Sequence, residues 1–458
     1  MVLNPLDGRY KAGLAQLNYY IGEDSLIFNR IKAECLYLLA LSREGLFKLT
    51  AEQTEKIKSF SKAATQAAQT VKAIETQGYK NIKPTRHDVK AVEYYLKDLF
   101  VENGLKDKTC WLHFALTSED INSLCYALMI RDSLEYCLLP ALKQIALVLD
   151  NIAKEYADDI LLARTHGQAA VPTTFGKEFK VFTYRLNRQI KQLEKQKISC
   201  KFSGAVGCYN AHTAAFARID WSEFSRKFIE SFNRGRKCKI FLWEVSTQID
   251  PHDTYAELFD NLRRINNILT DFARDIWQYI SAGLIKQKAV AGEVGSSTMP
   301  QKVNPIDFEN AEGNLGLANA LFEFFSRKLT VSRLQRDLSD STVLRNIGVS
   351  FGYCLTAYNS LKKGLDRIKP DTAAAKTEVL NHPEVLAEGI QTLLRAWGQE
   401  ESYEKLKDFT RGKQITQTDL ENFIKSLKLN KKQQAILLNL KPLNYTGLAA
   451  QTARKVYL

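Results

Sequence analysis

The sequence predicts an all-α protein built around a bundle of long helices, and three observations carry that reading. Leu142, Ile145, Leu149, Ile152 and Tyr156 step by three and four residues, as do Phe179, Phe182, Leu186, Ile190 and Leu193. The same spacing runs from Leu258 through Leu262, Ile265, Leu269, Phe272 and Ile276 to Ile280, and again from Leu344 through Ile347, Phe351, Leu355, Tyr358 and Leu361 to Leu365. Stripes this long belong to helices packed almost parallel, and alternating strand patterns are rare.

The elements fall into three regions. Residues 1–112 hold an N-terminal arm and shorter helices, and residues 113–366 carry the long striped ones. After Lys369-Pro370-Asp371 the pattern shortens and becomes more polar, so residues 367–458 are expected to form a separate helical domain. Phe259, Ile268 and Trp277 lie off the main stripes. Such extra apolar faces predict a homo-oligomer packing helix on helix.

Composition narrows the class. The 458 residues are 45% hydrophobic and 25% charged, an ordinary globular balance. The N-terminal stretch lacks the basic and apolar segments of an export signal, and no uninterrupted apolar run is long enough for a bilayer. Eight cysteines are scattered without a Cys-x-x-Cys pair, as in a reduced, cytoplasmic protein. The net charge of +13 is spread through Lys-rich helices mixed with acids, and no nucleic-acid motif accompanies it. It reads as solvated surface plus a pocket that attracts anions.

The most informative stretch is 292–305, Gly-Glu-Val-Gly-Ser-Ser-Thr-Met-Pro-Gln-Lys-Val-Asn-Pro. Two glycines, three hydroxyls, Lys302 and Asn304 interrupt strongly helical segments. A polar helix connector would suffice, but the uncharged Ser296-Ser297-Thr298 run followed by Lys302 and Asn304 favours an anion-binding catalytic loop. Five of the six histidines (His87, His113, His166, His212, His252) sit in polar stretches of low periodicity, and only His382 looks incidental. No metal-ligand spacing, phosphate-binding glycine loop or nucleophile elbow occurs, so zinc or di-iron sites, nucleotide hydrolysis, nicotinamide chemistry and a nucleophile-elbow hydrolase are not expected. Thr117-Ser118-Glu119-Asp120 reads as a helix N-cap with acids in its first turn, a geometry that also offers free amides and hydroxyls to an anion. Ser341-Thr342-Val-Leu-Arg345 repeats the pattern at another striped helix, with Arg336 just upstream.

Together these stretches resemble the fumarase/aspartase superfamily and, within it, the bacterial adenylosuccinate lyases. The matches are Asp7-Gly-Arg-Tyr10, His87-Asp-Val-Lys-Ala-Val-Glu93, Thr117-Ser-Glu-Asp-Ile-Asn122, Thr165-His-Gly-Gln168, Gly204-Ala-Val-Gly207 with Tyr209-Asn-Ala-His212, Thr247-Gln248, Pro251-His-Asp253, the 292–317 block and Ser341-Thr-Val-Leu-Arg345. They run from residue 7 to the Asn444-Tyr445 region, nearly the whole chain. The resemblance implies a three-domain helical subunit and a homotetramer with shared active sites, acting without a cofactor. It implies β-elimination of fumarate from adenylosuccinate and from the succinyl-carboxamide precursor SAICAR. By resemblance, His166 is the general acid and Ser296 the general base. Arg9, Tyr10, Arg336, Ser341 and Arg345 would hold the nucleotide and its phosphate, Gln248 would contact the substrate, and His87 would assist the succinyl end. Arg86, Asp88, Thr117, Ser118, Lys302, Asn304 and Thr342 complete the candidate substrate contacts. Gln301 stands where the family commonly has His, Arg86 where it often has Asn, and Ser203 and Cys208 where it has asparagines.

Overall fold

A computed structural model describes residues 3–62, 65–288, 299, 301–400, 402–412 and 415–456. The chain is 66% helical. Its strands are short and form three two-stranded sheets: antiparallel Ile160–Thr165 with Gln168–Thr174, parallel Lys197–Cys200 with Lys239–Leu242, and antiparallel Ile285–Gln287 with Ile368–Pro370. The striped segments all fall in helices: Leu139–Glu155, Phe175–Glu194, Asp253–Ser281 and Ile347–Leu365. A further long helix, Ile306–Leu329, lacked a clean stripe in the sequence because apolar residues surround it on several sides. The stripe from Leu344 crosses a break, since Ser339–Leu344 is a short helix of its own that ends before Ile347.

The chain divides into two compact units. One comprises Met1–Leu142, Gln189–Asn267 and Gly313–Asn359; the other comprises Lys143–Arg188, Ile268–Glu312 and Ser360–Leu458. In the first, Ile31, Leu38, Ile57, Val71, Val92, Leu96 and Phe100 form a closed core among the helices Glu23–Arg43, Ala51–Phe60, Thr65–Thr76 and Asp88–Glu102. In the second, Leu162, Val379, Leu386, Ile390, Leu394, Leu420 and Ile424 are buried together, so the C-terminal helices clasp the base of the Ile160–Thr174 hairpin. Burial of each such side chain contributes about 1.5 to 3 kcal/mol.

One helix bears on the membrane reading, and one expectation needs amending. Ser118–Glu155 runs as 38 helical residues, and by length and composition alone it is apolar enough to cross a bilayer. The sequence reading looked for an unbroken apolar run, whereas here buried polar groups punctuate the helix: Glu119, Asp120 and Arg131 are each at most 2% exposed. Of the off-stripe residues, Phe259 and Ile268 are buried within the chain, and only Trp277 is exposed. The first two therefore pack inside the subunit.

Candidate active site

The first unit wires its polar groups to one helix start. Thr117 caps Ser118–Ser133 in an extended conformation, as the sequence predicted, and its amide donates to Asp120 Oδ2 at 2.9 Å. Asp120 Oδ1 accepts from Lys201 Nζ at 2.6 Å, from the Ser203 amide at 2.9 Å and from the Gly204 amide at 3.2 Å. Both Asp120 and Lys201 are fully buried. One carboxylate thus fixes the Thr117-Ser118 turn against the Gly204–Gly207 loop. Gly207, at φ +85°, faces the Ser246 carbonyl so closely that a Cβ there would lie 2.1 Å from it. Only glycine fits.

A chain of charged side chains continues from this helix. Arg345 Nη2 donates to Asp88 Oδ2 at 2.7 Å and Arg30 Nη2 donates to the same oxygen at 2.6 Å. Arg30 Nε then reaches Asn122 Oδ1 at 2.9 Å, and Asn122 Nδ2 stands 3.5 Å from Glu119 Oε2. Glu119 Oε2 lies 3.0 Å from Arg336 Nη2, and Arg336 Nη1 donates to Gln248 Oε1 at 3.2 Å. Burial works to raise the Asp88 carboxyl, but Arg30 and Arg345 outweigh it and hold it down at about 2. Asp88, Gln248, Arg336 and Arg345 are thereby joined in one framework, which runs through Glu119 and Asn122 of the helix that Thr117 caps and Ser118 begins. The Ser341 amide is tied to Asp340 Oδ1 at 2.7 Å. Thr342 is exposed beside it.

The N-terminal arm of this unit leaves Arg9 exposed and Tyr10 half-buried. A cavity of about 360 Å³ lies between this arm and the Ile347–Leu365 helix, with Asp7, Lys11, Asn18 and Arg345 on its walls. His87 caps Asp88–Glu102, its Nδ1 accepting from the Lys90 amide at 3.2 Å. That bond leaves Nε2 to carry the proton and face solvent. Arg86 is exposed and adopts a left-handed φ of 48°.

The remaining histidines sort themselves. His113 Nδ1 sits 2.6 Å from Glu34 Oε1; burial opposes its protonation, but the Glu34 carboxylate raises it above the ordinary value. His212 and His252 are buried, and burial lowers each to about 4. His382 pairs with Glu384 at 2.7 Å. His113 and His382 are thus paired with carboxylates and His212 and His252 are buried. His87 and His166 remain.

His166 belongs to the second unit. It occupies the tip of the Ile160–Thr174 hairpin, where Thr165 pairs with Gln168 across a two-residue turn. His166 and Gly167 have φ values of 53° and 75°, the left-handed pair that a tight hairpin requires. The imidazole is exposed while the hairpin base is buried, and Arg164 is tied to Glu378 just below the tip. In the same unit Lys302 is exposed, its amide donating to the Met299 carbonyl at 3.1 Å, and Asn304 is half-buried ahead of Ile306–Leu329. Ser296 lies outside the described residues, as do Gly292, Gly295, Ser297, Thr298 and Pro300. Among the described residues no three of His, Cys, Asp and Glu cluster to hold a metal ion.

Sequence reasoning did not single out Arg30 or Lys201, and it read Glu119, Asp120 and Asn122 only as part of a capped motif. A signal existed: Arg30 stands alone among Ile27, Ile31 and Leu38, and Lys201 between Cys200 and Phe202. A charge on an apolar face that is not a solvated edge implies a buried partner.

Two family models match the chain, one described as Lyase over residues 15–319 and one as Adenylosuccinate lyase C-terminal over residues 332–446. An adenylosuccinate lyase from Legionella pneumophila (strain Corby) is 46% identical over 458 residues, covering 99% of this chain and 98% of its own. The chain belongs to the adenylosuccinate lyase family. A second relative, the adenylosuccinate lyase of Escherichia coli (strain K12), is 44% identical over 457 residues, 98% of this chain and 96% of its own. Among solved structures, 3-carboxy-cis,cis-muconate lactonizing enzyme from Pseudomonas putida matches with a TM-score of 0.72 at 20% identity, over 96% and 95% of the two chains. That likeness establishes the fold alone. As a member of the adenylosuccinate lyase family the chain is a carbon–nitrogen lyase. The family eliminates fumarate in purine biosynthesis and acts on small-molecule nucleotides.

Proposed function

We propose that this chain cleaves adenylosuccinate to AMP and fumarate, and SAICAR to AICAR and fumarate, in the cytoplasm and without a cofactor, metal or nucleic-acid partner. The observation that carries the reading is the framework joining Arg345, Asp88, Arg336 and Gln248 beside the Thr117-Ser118 helix start. Two arginines and a helix N-terminus in one place suit a phosphorylated, carboxylated substrate. Arg9, Tyr10, Ser341 and Thr342 would complete the phosphate contacts, with His87 and Arg86 towards the succinyl end.

In the reaction, Ser296 removes the proton from the carbon next to the succinyl carboxylate. The electron pair is held on that carboxylate as an aci-carboxylate dianion, facing Lys302, Asn304 and the helix amides. The C–N bond then breaks, the pair forms the fumarate double bond, and His166 delivers a proton to the leaving nitrogen. A serine oxygen becomes basic enough only when the loop closes and water leaves.

The three-region plan of residues 1–112, 113–366 and 367–458 serves a homotetramer whose sites draw on several subunits. Leu147, Tyr184, Trp277, Leu317 and Phe324 are exposed on the long helices, which supports helix-on-helix packing of copies. Mixing Ser296→Ala and His166→Gln proteins under subunit exchange tests chemistry and assembly together. Adenylosuccinate turnover, followed by absorbance, should return in the mixture, because some sites regain both wild-type residues. Hybrids that form, as a tagged subunit reveals, yet stay inactive refute the shared site. A wild-type protein without lyase activity refutes the substrate.

A further inference from the structure

Arg336 has more negative charge around it than it needs. Glu119 Oε2 lies 3.0 Å from its Nη2, and Asp340 Oδ1 lies 3.7 Å from its Nε. The Arg336 side chain is 16% exposed and the two carboxylates 2% and 3%. Nor is the set satisfied: Glu119 Oε1, Asp340 Oδ2 and Arg336 Nε are buried without a hydrogen-bond partner. Buried polar atoms left in this state are costly.

The groups facing Glu119 come from every side. Arg336 and Asp340 belong to the segment around Ser339–Leu344, and Lys201 follows the Lys197–Cys200 strand. Asn122, Asp120 and Tyr126 share its helix, and Tyr255 stands at the start of Asp253–Ser281. Lys201 is already committed to Asp120. His252, which faces Arg336, is held uncharged near neutral pH by burial. What remains is one guanidinium against two carboxylates. Burial raises Glu119 to about 7; Arg336 opposes the rise and Asp340 adds to it.

We propose that Glu119 is a positioning residue of the nucleotide site that exchanges charge with the ligand: ionised when the site is empty, where it aims Arg336, and protonated when a phosphate occupies Arg336. The inference rests on the reading that Arg336 faces the nucleotide's anion. An anion arriving within about 4 to 6 Å disfavours a neighbouring carboxylate, so binding draws a proton from solvent onto Glu119. The protonated carboxyl becomes a donor, and the proton offsets part of the charge the phosphate brings. Through Asn122, Arg30 and Asp88 the same carboxyl is joined to Arg345, so both arginines sense the exchange.

The test is calorimetric titration with AMP in two buffers of different ionisation enthalpy near pH 8, where the phosphate, with a second pKa of about 6, is already dianionic. The wild-type protein should take up close to one proton per AMP bound. Glu119→Gln keeps an oxygen that accepts from Arg336 but cannot titrate, and its uptake should vanish. Glu119→Asp should retain it, and serves if the Gln protein does not fold. Wild-type binding without proton uptake, or uptake that persists in Glu119→Gln, overturns the inference; so does uptake lost only in Asp340→Asn. Arg336→Gln tests the underlying reading separately. If that protein binds AMP as tightly as wild type, Arg336 does not face the phosphate; if it binds weakly while Glu119→Gln leaves the proton count unchanged, only the exchange fails.

Discussion

The hairpin tip at residues 165–168 and the helix start at residues 117–120 both carry motif residues, yet they are held in opposite ways. At the helix start, Asp120 is fully buried and accepts four hydrogen bonds, three at Oδ1 and one at Oδ2. At the tip, His166 is exposed and only the strands beneath it are anchored. A buried charge fixes position because losing any partner is costly, whereas an exposed imidazole is free to meet a ligand or another chain. The buried anchor and the proposed proton donor are thus placed in different environments.

The largest effect should come from the exposed side. His166→Gln should lower kcat about a thousandfold or more, roughly 4 kcal/mol, while the melting temperature stays put. A well-folded variant with near wild-type turnover would break the comparison at its catalytic end. Asp120→Ala should do the reverse. It strands the buried Lys201 ammonium and should cost about 3 to 5 kcal/mol of stability, read by denaturant unfolding. A neutral result would mean that the network does not hold the site.

Acid should separate the regions too. His212 and His252 are held at about 4 by burial, below the ordinary value near 6.5. The unfolded chain binds those protons first, so stability should fall as pH drops from about 6.5 to 4, by on the order of 3 kcal/mol for His252. Thermal melts of His252→Gln across the window should lose most of that pH dependence, and an unchanged profile would refute the assignment. The smallest effect is expected of Arg345→Ala, which removes a half-exposed charged donor. KM for adenylosuccinate should rise roughly thirtyfold, about 2 kcal/mol, with kcat little changed. A fall in kcat with constant KM would instead move Arg345 to the reacting end.

The sequence by itself determined the helical class, because apolar residues recurring every three or four positions bury only as helices. It also determined the Thr117 cap and the family, through motifs whose order along the chain is written in the residues. It did not show that Glu119 and Asp120 turn inward. A carboxylate in a first helical turn is ordinarily solvated, and Lys201, 81 residues away from Asp120, becomes its partner only when the chain folds. Nor did it show which histidines are buried or paired. The polar neighbours of His113, His212 and His252 looked like a site, and only their burial and the Glu34 contact of His113 set them apart from His166. Periodicity and local chemistry are properties of neighbours in sequence. Desolvation and long-range charge pairing depend on neighbours in space, and those the tertiary structure alone decided.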